Sequence, residues 1–279
     1  MFENIIGLQA TTRDLTDDIT AGRLPGAILL SGPRYGGKSS VALEIARAVS
    51  CHDDGRWDCD CDSCRRHRTL QHPGVILVGP RYFSLEIQAA ADAFRRRPRI
   101  GTGYLLLRSV RKLIYRFDTR LWPETRVKKA LPVVDKIEEK LEMIDSALHG
   151  EDGIDNDVLK VVDELIEEAH GLERNLPHDV VPVDVVRAIS SWSRLSSASG
   201  TRVVIVEEAH TLQESARNAM LKILEEPPTD VLFVLSTSRK TALIPTIRSR
   251  LRSYELAERP QDVQKDVQRQ IFRVEEPGS

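Results

Sequence analysis

Four short runs of consecutive apolar residues punctuate the chain: Ala27-Ile28-Leu29-Leu30, Val75-Ile76-Leu77-Val78, Val203-Val204-Ile205-Val206 and Val231-Leu232-Phe233-Val234-Leu235. A run without polar alternation suits a strand buried on both faces, as in the middle of a parallel sheet. Between these runs the apolar spacing lengthens to that of a helix. Val41, Leu43, Ile45, Ala46 and Val49 mark one over about residues 40–49, and others are expected over about 9–21 and 212–225. Strands alternating with helices predict a doubly wound α/β core with a parallel sheet flanked by helices.

The pattern changes between about residues 80 and 180. Arg95-Arg96-Arg97-Pro98-Arg99 opens a basic stretch that runs to Lys129 through Arg108, Arg111, Lys112, Arg116, Arg120, Arg126 and Lys128. Two amphipathic segments follow. Val133, Val134, Ile137, Leu141, Ile144 and Leu148 recur at helical steps, as do Val158, Val161, Val162, Leu165, Ile166, Ala169 and Leu172. An acidic, glycine-containing link from His149 to Asp157 separates them. The expected structure is an antiparallel α-helical hairpin inserted into the α/β core.

With 279 residues, 41% hydrophobic, the chain can bury one good core with an appendage. The net charge of −2 gives no global signal for nucleic acid. No apolar run approaches membrane-spanning length and Met1-Phe2-Glu3-Asn4 does not open a signal peptide, so a cytoplasmic protein without membrane partners is expected.

The residues at the end of the first apolar run carry chemistry. Gly32-Pro33-Arg34-Tyr35-Gly36-Gly37-Lys38-Ser39 fits G-x-x-x-x-G-K-[ST] at every fixed position, and Ser40 follows into the helix. The glycines can turn with positive φ and let backbone N–H groups approach phosphate oxygens. Lys38 would lie between the β- and γ-phosphates of ATP, and the Ser39 hydroxyl would hold Mg²⁺. A strand entering and a helix leaving, its N-terminus turned to the phosphates, is the context such a loop requires. A second strand, Val203–Val206, ends in Glu207-Glu208. Glu207 would contact the Mg²⁺ shell and Glu208 would polarise the attacking water as general base. Glu207 stands where Asp is usual, and its extra methylene moves the carboxylate by about 1.5 Å.

All four cysteines, Cys51, Cys59, Cys61 and Cys64, fall in one short segment. Such clustering in a cytosolic chain argues for metal rather than disulfides, and four thiolates fit a closed, structural Zn²⁺ site.

Further stretches make the pattern specific: Phe2-Glu3-Asn4-Ile5-Ile6-Gly7, Leu224-Glu225-Glu226-Pro227-Pro228, Ser236-Thr237-Ser238 and Ile244-Pro245-Thr246-Ile247-Arg248-Ser249-Arg250. With the phosphate loop and the cysteines, they resemble the bacterial DNA polymerase III clamp-loader subunits of the gamma/tau and delta-prime types, members of the AAA+ ATPases. The resemblance covers roughly residues 1–79 and 181–257. It implies an AAA+ domain over 1–257 with a zinc module at 51–64, interrupted by the helical insert at about 80–180 that the periodicity predicts, and at 258–279 the start of a helical lid that is otherwise absent. It also implies that Thr237, or Ser238 in its place, senses the γ-phosphate, and that Arg250 reaches a neighbouring subunit's ATP site as an arginine finger. Leu251 stands where the family has Cys. The cysteine spacing here, Cys-x7-Cys-x-Cys-x2-Cys, is tighter than the family's Cys-x8-Cys-x2-Cys-x2-Cys, leaving His52 or His67 as alternative ligands. The implied partners are other clamp-loader subunits in a hetero-oligomeric ring, the sliding clamp and primer-template DNA. The implied function is ATP-driven loading of that clamp during DNA replication. Two alternatives remain: a non-hydrolysing, delta-prime-like scaffold that donates Arg250, and a stand-alone DNA-binding ATPase that uses residues 95–129.

Overall fold

A computed structural model describes residues 1–150, 154–176, 180–195 and 201–274. The chain divides into two compact units, one of residues 1–67, 71–81 and 179–260, the other of 68–70, 82–178 and 261–279. In chain order the helices are α1 (Gln9–Thr20), α2 (Lys38–Val49), α3 (Asp62–Arg68), α4 (Ser84–Arg96), α5 (Ile100–Ile114), α6 (Glu124–Val127), α7 (Leu131–His149), α8 (Asn156–Glu173), α9 (Val183–Ser193), α10 (Glu214–Glu225), α11 (Pro245–Arg248) and α12 (Gln261–Gln270). None of these is long and apolar enough to cross a membrane.

The first unit is built on five parallel strands: β1 (Ala27–Ser31), β2 (Val75–Val78), β3 (Arg202–Val206), β4 (Val231–Thr237) and β5 (Arg252–Glu255). Their order in the sheet is β2-β3-β4-β1-β5. The four apolar runs are β1 to β4, and every residue in them is buried. This is the α/β sheet expected from the sequence. The fifth strand has no such signature, because Arg252, Ser253 and Glu255 are exposed and only Tyr254 is buried. Side chains of α1 hold β5: Thr11 donates to the Glu255 carbonyl at 2.6 Å, and Asp18 takes the Tyr254 hydroxyl at 2.7 Å and the Arg252 guanidinium at 2.5 Å. Because all five strands run the same way, their C-terminal ends finish at one edge of the sheet. In open α/β sheets this is where ligands bind.

The second unit is helical, and its core corrects the expected hairpin. The two predicted amphipathic helices are α7 and α8, which pack along each other; residues 151–153 of the link lie outside the described residues. They are only half of the layer. Phe83, Ile87, Phe94, Leu107 and Leu113, in and around α4 and α5, share one buried cluster with Ile137, Leu141, Ile144, Val162 and Leu165 of α7 and α8. Glu173 at the end of α8 accepts the N–H groups of Phe83 and Ser84 at 2.7 and 2.9 Å, satisfying donors at the start of α4.

Part of the basic stretch is internal to this layer. Arg111, Lys112 and Arg116 are buried. Arg111 bonds Glu138 at 3.2 Å and the Thr69 carbonyl at 2.8 Å, Lys112 bonds Glu86, Arg95 bonds Asp92 and Asp163, and Arg120 bonds Asp118. Phosphate contacts along 95–129, which the DNA-binding ATPase alternative requires, would fall to the exposed positions of the stretch rather than to the three buried ones. The exposed basic residues of the stretch are Arg96, Arg97 and Arg99 at the α4–α5 turn, Arg120 ahead of α6, Arg126 on α6, and Lys128 and Lys129 after it.

Because the four long helices share one core, a void in any of them should weaken the whole layer. Leu165→Ala, at a fully buried position, should destabilise the helical unit by about 2–5 kcal/mol in urea unfolding followed by circular dichroism. A loss below about 0.5 kcal/mol would mean that α8 is not part of that core.

Candidate nucleotide site and cysteine cluster

The phosphate loop joins β1 to α2, and the helix starts at Lys38, two residues earlier than expected. Gly37 caps it in the left-handed region, φ +91°. The loop is anchored at its start, where Gly32 N–H donates to the Thr237 carbonyl at 3.3 Å, and it closes on itself through Gly36 N–H to the Pro33 carbonyl at 3.1 Å. A Cβ on Gly32 would lie 2.5 Å from the Leu256 carbonyl oxygen, so this position has room only for hydrogen. Arg34 stacks over Tyr35, whose own ring is exposed.

Lys38 is buried and folds back over the loop, donating to the carbonyls of Gly32 at 3.1 Å and Pro33 at 2.7 Å, with Glu208 3.6 Å away. Burial pushes its pKa below the usual lysine value, against the pull of the Glu208 and Glu207 carboxylates. From the end of β3, the Glu207 carboxylate, also buried, accepts the Ser39 hydroxyl. Glu208 follows in the left-handed region at φ +47°, a conformation that costs a non-glycine residue on the order of 1–3 kcal/mol. Its carboxylate is fixed from the end of β4, where Ser238 donates its N–H at 3.0 Å and its hydroxyl at 2.6 Å. Thr237 is fully buried and its hydroxyl meets His210 Nδ1 at 2.9 Å. Lys38, Ser39, Glu207, Glu208, Thr237 and Ser238 are thus linked at one sheet edge by contacts of about hydrogen-bond length or slightly more.

Arg250 stands apart from this group. Its guanidinium bonds Glu225 of α10 at 2.9 Å and the Thr246 carbonyl at 2.8 Å, just ahead of β5.

Three further residues belong to the site and were not among those expected. His210 touches Thr237 and lies 3.5 Å from Glu208; burial lowers its pKa, with Glu208 opposing. Arg259 donates to the Ile6 carbonyl at 2.8 Å and passes so close to the loop that a Cβ on Gly37 would be 2.7 Å from its Nη2. Burial lowers the Arg259 pKa. Arg81, from the loop after β2, donates to the Ser39 hydroxyl at 2.9 Å and to Glu207. Arg81 and Arg259 follow the C-terminal ends of β2 and β5, and this position was the available signal.

A family described as DNA polymerase III, delta subunit matches residues 7–101 and 151–260. The chain belongs to this family. The clamp-loader resemblance carried by the sequence motifs is thereby shown. The chain is also 26% identical over 255 residues to the DNA polymerase III subunit gamma/tau of Mycobacterium bovis, an alignment covering 91% of this chain and 28% of that protein. It is 40% identical over 80 residues to the DNA polymerase III subunit delta' of Escherichia coli, covering 28% of this chain and 24% of that one. It therefore spans less than a third of either relative's length. Among solved structures, a gamma subunit-related protein from Thermotoga maritima aligns with a TM-score of 0.42 and 16% identity, over 94% of this chain and 49% of that one.

In this delta-subunit family member the cysteines come together without a histidine. The sulfurs of Cys51, Cys59, Cys61 and Cys64 all lie within 4.8 Å of one another. A tetrahedral Zn²⁺ with bonds of about 2.3 Å sets its thiolates about 3.8 Å apart, so the four residues fit such an ion. His67 instead stacks on His72, with ring centroids 4.2 Å apart. Burial works against ionising Cys61, but hydrogen bonds from the His52 and Cys64 N–H groups outweigh it and hold the thiol down at about 6. Arg47, fully buried in the last turn of α2, donates to Cys64 Sγ at 3.0 Å while paired with Glu44 at 2.6 Å. A cation of this kind behind a thiolate cluster suits a metal site, where groups behind the ligands orient them.

Gly37 is constrained twice, by its positive φ and by Arg259. Gly37→Ala should cost about 1–3 kcal/mol in thermal or urea unfolding. Arg259→Ala should recover part of that loss, since it removes the clash but not the backbone strain. Strict additivity of the two substitutions would show that Arg259 does not press on the loop.

Proposed function

We propose that the chain is an ATP-binding subunit of a bacterial DNA polymerase III clamp loader. In this reading it works in the cytoplasm within a hetero-oligomeric ring of clamp-loader subunits that places the sliding clamp on primer-template DNA. The observation that carries the proposal is the linkage of Lys38 and Ser39 to Glu207 and Glu208 across the sheet edge, in a chain of this family. The relatives that share the fold's sequence are named as gamma/tau and delta' subunits, which supports the same assignment.

Each residue then has a physical task. The N–H groups from Gly32 to Ser40 surround the phosphates, and Lys38 leaves the Gly32 and Pro33 carbonyls to meet the β- and γ-phosphate oxygens. Ser39 and Glu207 carry the hydroxyl and carboxylate oxygens that would hold Mg²⁺, a hard cation that would neutralise phosphate charge, wherever Arg81 withdraws from them. Glu208, held in place by Ser238, is aimed to orient a water as general base. Thr237 reports the γ-phosphate to His210 and to β4. Arg250 is the finger for a neighbouring site, parked on Glu225 in the isolated chain. Residues 1–257 form the AAA+ domain and 258–279 open a helical lid. The cysteine cluster holds a structural Zn²⁺ that staples the segment between α2 and β2.

The scaffold alternative is favoured by one observation, the Arg81 guanidinium on Ser39 and Glu207. Under either reading the nucleotide is bound by the same loop.

Lys38→Ala should abolish ATP binding in titration calorimetry with the circular dichroism spectrum unchanged; an unaltered affinity would refute the nucleotide site. Arg250→Ala should leave ATP binding by this chain intact and depress DNA-stimulated hydrolysis by the reconstituted loader. Normal turnover in that assembly would rule out the finger. Purified protein should carry about one Zn²⁺ per chain and melt at lower temperature after chelation. Metal-free protein with full thermal stability would remove zinc from the account.

A further inference from the structure

The residue that leaves β2 is Gly79, with φ +121°, and it sits directly against the start of the acidic pair. A Cβ there would overlap the main-chain carbonyl of Glu207, and the Glu207 N–H already donates to the Val78 carbonyl at 2.7 Å. The exits of β2 and β3 are therefore locked side by side. Pro80 restricts the next φ, and Arg81 is delivered over the Glu207 carboxylate. There a single nitrogen, Nη1, donates to both the Ser39 hydroxyl and Glu207 Oε1. Arg81 is four-fifths covered and Glu207 almost wholly so, with side-chain exposures of 19% and 5%. The guanidinium bridges the same two oxygen groups that a phosphate-bound Mg²⁺ would need at this loop.

We infer that Arg81 is the resident cation of the nucleotide site: Arg81 and Mg²⁺ exclude one another at Ser39 and Glu207, and with Arg81 in place the chain binds nucleoside triphosphate without requiring the metal. The inference rests on the phosphate-loop reading above. Three physical points support it. An arginine stays protonated at any working pH and makes directional bonds to carboxylate and phosphate oxygens alike. A divalent ion brought within a few ångströms of a fixed guanidinium is repelled, so one must leave for the other to enter. Mg²⁺ also sheds its water reluctantly, while Arg81 is already seated. Glu207 in place of a shorter Asp belongs to the same arrangement, since the longer side chain meets both Ser39 and Arg81.

The test compares ATP affinity of the full chain in EDTA and in Mg²⁺, by calorimetry, for the wild type and for Arg81→Ala. The wild type should bind with affinities that agree within about threefold in the two buffers, and the variant should bind at least about tenfold more weakly in EDTA than in Mg²⁺. Arg81→Lys, which keeps a positive charge, should stay closer to the wild type. If Arg81→Ala does not fold, Arg81→Gln, which keeps a donor but no charge, serves in its place with the same expected rise in metal dependence. A wild type whose binding falls about tenfold or more on metal removal, or a ratio that the substitution leaves unchanged, overturns the inference while leaving the phosphate loop intact. Absence of ATP binding by the wild type in both buffers overturns the phosphate-loop reading, and the role of Arg81 with it.

Discussion

β4 lies between β1 and β3, hydrogen-bonded to both, and this placement sets the separation of the phosphate loop from the acidic pair. Neighbouring strands stand about 4.8 Å apart, so the exits of β1 and β3 are roughly 10 Å apart, a gap that one side chain from each can close. Ser39 and Glu207 close it directly, while Lys38 approaches Glu208. The register carries Thr237 opposite Ser31, so the end of β4 comes level with the start of the loop and Gly32 bonds back to it. Had β3 lain beside β1, the same residues would collide; one strand further away, they could not meet.

The cost of this convergence is a set of charges in poor contact with water. Lys38 and Glu207 are buried and Arg81 is mostly covered, and an unpaired charge in such a place would be strongly destabilising. Each finds partners: carbonyls and Glu208 for the lysine, hydroxyl and guanidinium for the glutamate. The left-handed Glu208 adds backbone strain at the same point, held by two bonds from Ser238. Strain and buried polarity are thus gathered at one edge, above the four apolar strands of the sheet.

The four buried strands were legible because each is an unbroken apolar run, and the loop because its glycines, lysine and serine have fixed spacing. Strand β5 was not, since one buried tyrosine among exposed polar residues leaves no period to detect. The helical layer was half legible. α7 and α8 show their stripes plainly, whereas in α4 and α5 the arginines and lysines dominate the reading even though Arg111 and Lys112 are buried and paired with acids distant in sequence. Charge counted along a chain does not show which charges meet their opposites after folding. Arg81 and Arg259 were not legible for a related reason: each is a lone basic residue in a loop, and only the sheet topology carries both to the edge where the glycine-rich loop and the acidic pair meet.

The grip of α1 on β5 bears on how this protein can join others. An outermost strand with free backbone groups is a template on which a foreign strand can be laid, extending one sheet into another chain. Here the last carbonyl of that strand is taken by Thr11, and its flanking side chains are Arg252 and Glu255, with Arg252 and Tyr254 tied to Asp18. Sheet-to-sheet fusion is therefore blunted on this side. A partner reaching this side would meet side chains first, whose contacts can be made and released without unzipping a backbone ladder.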